Sequence, residues 1–131
     1  MRRPLVAIAI ALLTAACGAS SAADQTGGSG TLKVTQHVNG HLYVEGSVGY
    51  VKILHDGQTV FEGKIGDGVS KQLSPGTYEL DSWQRLCVGN CGKLGPPIDK
   101  CNTTIDVRSD ETTSAVVELT PDSNSCTIST S

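Results

Sequence analysis

The sequence predicts an all-β fold, a single antiparallel β-sandwich stapled by disulfides. From Thr31 onward, no stretch of ten or more residues shows the apolar spacing of three and four that marks an amphipathic helix. Short alternating runs bounded by Gly, Pro, Asn and Asp recur instead. Four of the five cysteines lie after Leu80, and aromatic residues are scarce. A small domain with a thin core commonly uses disulfides to compensate.

The alternating runs place the strands and their buried faces. Strands are predicted at residues 32–38, 42–46, 50–55, 59–65, 69–73, 77–86, 101–108 and 114–120, with a further short strand at 126–129. Asn39-Gly40 and Asp56-Gly57 are typical of tight hairpin turns. Alternation gives each strand one apolar face. The predicted core contains Val51, Ile53, Tyr78, Leu80, Ile105, Val107, Ala115, Val117 and Leu119.

The first residues resemble an export signal. Arg2 and Arg3 precede an apolar run at 5–13 that is too short to span a bilayer. The run ends in "LTAAC", which resembles the lipobox of bacterial lipoproteins. This resemblance implies that the chain is cleaved before Cys17 and that the Cys17 thiol is acylated with fatty acids such as palmitate. The alternative is an ordinary signal peptide cut near Ala23.

The predicted division is therefore a signal peptide at residues 1–16, a lipidated Cys17 with a flexible tether at 17–30, and a β-sandwich domain at 31–131. The tether, "GASSAADQTGGSG", is small and polar, with nothing to bury. Removing 1–16 leaves eight basic and thirteen acidic residues, a net charge of −5. This balance argues against a nucleic-acid partner. The expected location is the extracytoplasmic face of the bacterial cell membrane, held there by the lipid anchor.

Two segments, "GYVKILHDGQTVFEGKI" and "LSPGTYEL", are similar to carboxypeptidase-regulatory-like and transthyretin-like β-sandwich domains of bacterial surface proteins. The resemblance covers about residues 48–108 and implies an immunoglobulin-like or transthyretin-like sandwich in a surface setting. It brings no catalytic residues with it. The stretch "CVGNCG" is also similar to a loop of small secreted actinobacterial proteins of uncharacterised function.

The cysteines after the lipobox predict two disulfides. Their spacing does not suit a zinc site, and "CVGNC" has three residues between its cysteines where a thioredoxin-like motif has two. Four cysteines allow three pairings. A hairpin of strands 77–86 and 101–108 would favour Cys87–Cys101 with Cys91–Cys126. Cys91–Cys101 with Cys87–Cys126 is the alternative.

Two neighbouring surfaces are candidate binding sites. On its strand Trp83 alternates with Arg85, opposite the predicted core face, so it is expected to face outward unless a bulge turns it inward. A Trp beside charges is a common anchor for peptides or sugars. The segment 88–100 is predicted to be a loop of thirteen residues, stiffened by two prolines and by disulfides. Its candidate contact residues are Asn90, Lys93 and Leu94.

No hydrolase, metalloprotease or phosphate-binding motif occurs, so the sequence predicts a non-enzymatic protein without a cofactor. The leading hypothesis is a surface-exposed lipoprotein that acts as a binding or structural module of the cell envelope, with an envelope protein or a glycan as partner. The alternative is a metal-handling or catalytic accessory protein that uses His37, His41 and His55 or the cysteine loop.

Overall fold

Eight strands form within residues 27–40 and 46–131, the part of the chain that the computed structural model describes. They are β1 (Gly30–Val38), β2 (Ser47–His55), β3 (Gln58–Lys64), β4 (Val69–Leu73), β5 (Gly76–Val88), β6 (Lys93–Val107), β7 (Thr112–Thr120) and β8 (Ser125–Thr130). A 3-10 turn, Pro121–Ser123, precedes β8. The described residues contain no helical segment with the length and hydropathy needed to span a bilayer.

Several predictions fall outside the described residues. These are the signal peptide at 1–16, the acylated Cys17, the tether up to residue 26, His41 and nearly all of the strand at 42–46. The Asp56-Gly57 hairpin turn is confirmed, because both residues have positive φ, 49° and 74°, between β2 and β3.

The strands form two four-stranded sheets with the orders β4-β1-β7-β8 and β3-β2-β5-β6, which confirms the predicted all-β sandwich. One pair departs from the antiparallel prediction, because β1 runs parallel to β7. Alternation of apolar residues is the same in a parallel and an antiparallel pair, so the sequence pattern does not distinguish them. All other strand pairs are antiparallel.

The core lies between the inner faces of the two sheets. Every residue predicted for the core is buried, and Leu32, Val34 and Ile65 join them. Tyr78 reaches the edge of the core, where its hydroxyl donates a hydrogen bond to the carbonyl of Ser74 at 2.8 Å. The apolar pattern therefore identified the buried faces even where it missed a strand direction.

Two disulfides are present, but both predicted pairings are wrong. Cys87 bonds Cys91 within one hairpin tip, and Cys101 bonds Cys126. The prediction assumed that Cys87 and Cys101 face each other across the mouth of a hairpin. In the structure Cys87 lies opposite Leu94, and Cys101 lies opposite Ser82. Because β6 and β8 are edge strands of different sheets, the Cys101–Cys126 disulfide closes one edge of the sandwich.

The predicted loop at 88–100 is mostly strand. β5 and β6 form one long hairpin that turns only at residues 89–92. The Pro-Pro pair, Pro96 and Pro97, lies inside β6, with Pro97 opposite Arg85. Proline removes a backbone donor, which an edge strand tolerates because one of its sides has no partner. β6 is the last strand of its sheet, so these prolines need not mark a loop.

Candidate functional site

Trp83 stands on the outer face of the sheet β3-β2-β5-β6. Its neighbours on β5, Ser82 and Gln84, are buried, so alternation turns the Trp83 side chain outward, which is one of the two orientations that the sequence left open. The side chain is half-buried and stacks against Tyr50 on β2, with ring centroids 5.6 Å apart and planes within 4°. The stack holds Trp83 in a fixed position on the sheet surface.

A β-bulge lies directly beside Trp83. Ser82 pairs with Cys101 and Gln84 pairs with Ile98, so Asp99 and Lys100 together oppose the single residue Trp83. Asp99 has a positive φ of 46°, which fits a bulge. Bulges are common beside functional sites because the extra residue redirects a side chain and bends the strand.

An open depression of about 550 Å³ occupies this part of the sheet face. Its volume falls within the range of small-molecule sites. The walls come from all four strands of the sheet, and Trp83 is the only aromatic residue among the described residues that line them. The lining residues are Lys52, Glu62, Asp81, Ser82, Trp83, Pro97, Lys100, Cys101 and Asn102.

The polar side chains of the depression follow the strand register. Lys52 lies opposite both Glu62 and Asp81, and Asp81 lies opposite Asn102, so these four form one row across the sheet. Lys52 Nζ is 3.8 Å from Glu62 Oε2, a partly exposed ion pair. Within the described residues, Asp81, Lys100 and Asn102 have no side-chain hydrogen bond or ion pair. These three side chains are therefore available to a ligand.

Inward-facing polar residues fix the backbone beneath the site. Ser82 Oγ donates to the carbonyl oxygen of Tyr50 at 3.0 Å, and Gln84 Nε2 donates to Gln36 Oε1 on the opposite sheet at 2.8 Å. Gln84 is fully buried, and its own oxygen accepts a bond from Ser47 at 3.3 Å. A satisfied buried network of this kind holds strands rigidly. Trp83 lies between Ser82 and Gln84 in the chain, so the same network holds its backbone in place.

The other predicted binding residues are not part of the depression. Arg85 is half-buried, and its guanidinium donates to the carbonyls of Gly95 at 2.7 Å and Leu94 at 3.3 Å, where the β5–β6 register shifts. Arg85 therefore satisfies backbone carbonyls at this irregularity. Asn90 and Lys93 are exposed at the hairpin tip, whereas Leu94 is half-buried in β6. None of the four lines the depression.

The described histidines lie in different sheets. His37 is exposed on β1, while His55 ends β2, where its ring lies against Tyr78 with centroids 4.6 Å apart. In residues 27–40 and 46–131, no three His, Cys, Asp or Glu side chains are grouped closely enough to hold a metal ion. The four described cysteines are bonded in disulfides.

Sequence reasoning identified Trp83 but missed the residues around it. It did not identify Lys52, Asp81, Lys100 or Asn102 as site residues. The signal that could have found them is alternation together with strand order, because it is the pairing of β2, β5 and β6 that puts them beside Trp83. Nothing in the sequence marks the bulge except Asp99, a residue type that tolerates positive φ.

Comparison with known proteins assigns no family to this chain. No protein-family model matches it, and no curated protein matches it at a significant level.

Proposed function

We propose that this protein is a non-enzymatic binding module of the bacterial cell envelope, and that its ligand docks in the depression beside Trp83. The observation that carries the proposal is an aromatic side chain fixed by stacking and surrounded by three unengaged polar side chains, Asp81, Lys100 and Asn102. Rigid strands, rather than a loop, carry this site, so little ordering is needed on binding. Among the lining residues that the structure describes, no nucleophile is paired with a base, which suits recognition rather than catalysis.

The proposal includes export and anchoring through Cys17. It is supported by the basic start, the apolar run and the "LTAAC" sequence. Two or more acyl chains bind a membrane stably. The similarity to carboxypeptidase-regulatory-like domains is also part of the proposal. It is supported by the sandwich architecture and by the position of "PGTY" at the start of β5.

Capture of envelope material by the purified, immobilised protein tests the site. We expect the wild type to retain envelope components and Trp83→Ala to lose at least tenfold in apparent affinity. Two control variants carry an alanine substitution at exposed positions away from the depression. Asn90→Ala alters the hairpin tip, and Lys33→Ala alters an exposed strand position on the opposite sheet. Equal capture by wild type and Trp83→Ala, with folding of both verified by circular dichroism, contradicts the proposed site.

A further inference from the structure

The position of the depression limits how a ligand can be recognised. β2 and β5, which carry Lys52, Asp81 and Trp83, are the two inner strands of their sheet. Their backbone donors and acceptors pair with neighbouring strands on both sides, except where the bulge interrupts the β5–β6 pairing at Trp83. A peptide that binds by strand addition needs the unpaired backbone of a sheet edge. Over these inner strands, recognition depends on side chains. Lys100 and Asn102 lie on the edge strand β6, whose outer side is joined to β8 by the Cys101–Cys126 disulfide.

The side chains around Trp83 offer donors and acceptors without a net charge. The lining contains two lysines, Lys52 and Lys100, and two carboxylates, Glu62 and Asp81. A strongly charged ligand would be attracted by one of these pairs and repelled by the other, so the site gives no net attraction to charge. Asp81 accepts hydrogen bonds, Lys100 donates them, and Asn102 does both. This combination matches neighbouring hydroxyl groups, each of which can donate one hydrogen bond and accept another.

Trp83 adds an apolar surface beside these polar groups. Tyr50 stacks on Trp83 and does not line the depression, so it supports the indole from one side while the indole still contributes to the wall. On one strand, side chains two positions apart are separated by roughly 6.7 Å. Asp81 and Trp83 have this relation, so a ligand that contacts both needs a polar edge and an apolar face within that distance. A sugar ring has hydroxyl groups around its edge and C–H groups on its faces.

We propose that the ligand is an uncharged oligosaccharide whose C–H face packs on Trp83 and whose adjacent hydroxyls bind Asp81, Lys100 and Asn102. This inference rests on the proposed function, because it names the ligand of that same site. The ligand is then a carbohydrate of the envelope and not an envelope protein.

The test uses the immobilised mature protein, from Cys17 onward, and envelope material from the organism that makes it. One portion is treated with periodate, which cleaves adjacent hydroxyls of sugars, and a second portion is treated with a protease. We expect capture to depend on Trp83, to fall at least tenfold after periodate and to survive the protease. Asp81→Ala and Asn102→Ala should each weaken capture several-fold, and the matched variant Glu118→Ala, at an exposed position on the opposite sheet, should leave it within twofold.

The outcomes separate the two proposals. Capture that needs Trp83 but survives periodate overturns the oligosaccharide and leaves the proposed binding function standing. Capture that does not need Trp83 overturns both. A tenfold loss in about 0.5 M sodium chloride, where charge interactions are screened within a few ångströms, shows a charged ligand and also overturns the inference. Asp81→Ala and Lys100→Ala give a second route to each result if Trp83→Ala does not fold.

Discussion

Removing the disulfide that joins the two sheets should destabilise the protein more than removing the one at the hairpin tip. Cys101 and Cys126 are 25 residues apart, whereas Cys87 and Cys91 are four residues apart. In the chain-entropy model, closing loops of these lengths stabilises the native state by about 3.5 and about 2 kcal/mol respectively. The expected difference in free energy of unfolding is therefore about 1.5 kcal/mol.

The location of each bond reinforces this order. The Cys101–Cys126 bond crosses between the sheets, and both cysteines pack against the core. The Cys87–Cys91 bond spans only the tip between β5 and β6, although the Cys87 side chain is itself buried. Paired alanine variants remove each cross-link without placing a hydroxyl in a buried position.

Urea unfolding followed by circular dichroism measures both variants against the wild type. We expect Cys101→Ala with Cys126→Ala to lose the larger free energy, and the variant should show a melting temperature lower by roughly 15–25 °C. Non-reducing peptide mapping of the wild type verifies the pairing. An equal or larger loss for Cys87→Ala with Cys91→Ala would refute the reasoning.

Three further predictions test the interior, a titrating side chain and the anchor. Gly49→Ala should lower the free energy of unfolding in urea by about 1–3 kcal/mol, because the added Cβ would displace Gln36 Oε1 from its hydrogen bond with the buried Gln84 Nε2. An unchanged midpoint would contradict the buried network. Burial, and secondarily the charge of Asp56, raises the pKa of Tyr78 above its usual 10.0. The folded state then holds a proton that the unfolded state loses, so stability should decline as pH rises above 10, and Tyr78→Phe should make that decline shallower; an identical slope would contradict this assignment. Cys17→Ser should abolish fatty-acid labelling and membrane retention, and persistent labelling would show that the lipobox interpretation is wrong.

The buried half of the fold was predictable from sequence because alternation reports burial directly. The sets on β2, β5, β6 and β7, such as Val51 with Ile53, are buried as predicted. The same signal gave the outward direction of Trp83 as one of two alternatives, the other being an inward turn at a bulge. Periodicity gives no information on strand direction or partner, however, so the parallel β1–β7 pair and the four-strand row beside Trp83 could not be predicted.

Local composition misled the prediction at the β5–β6 hairpin. Glycines and a Pro-Pro pair usually mark a loop. Here Pro96 and Pro97 lie on an edge strand, where tertiary position relieves the missing backbone donor. The wrong loop placed the hairpin mouth at Cys87 and Cys101, and the wrong disulfide pairing followed from it. A disulfide depends on which strands meet in space, which spacing along the chain does not determine.

The most direct test of the binding site uses Trp83 as its own reporter, since it is the only tryptophan in the chain. Its fluorescence and its quenching by acrylamide are measured while a solubilised envelope fraction is added, with the fraction alone and the Trp83→Phe variant as background controls. A ligand seated in the depression should shift the emission to shorter wavelength and reduce acrylamide quenching in proportion to the amount bound. Bound envelope material that leaves both the emission and the quenching of Trp83 unchanged would place the ligand elsewhere on the molecule and contradict the proposed site.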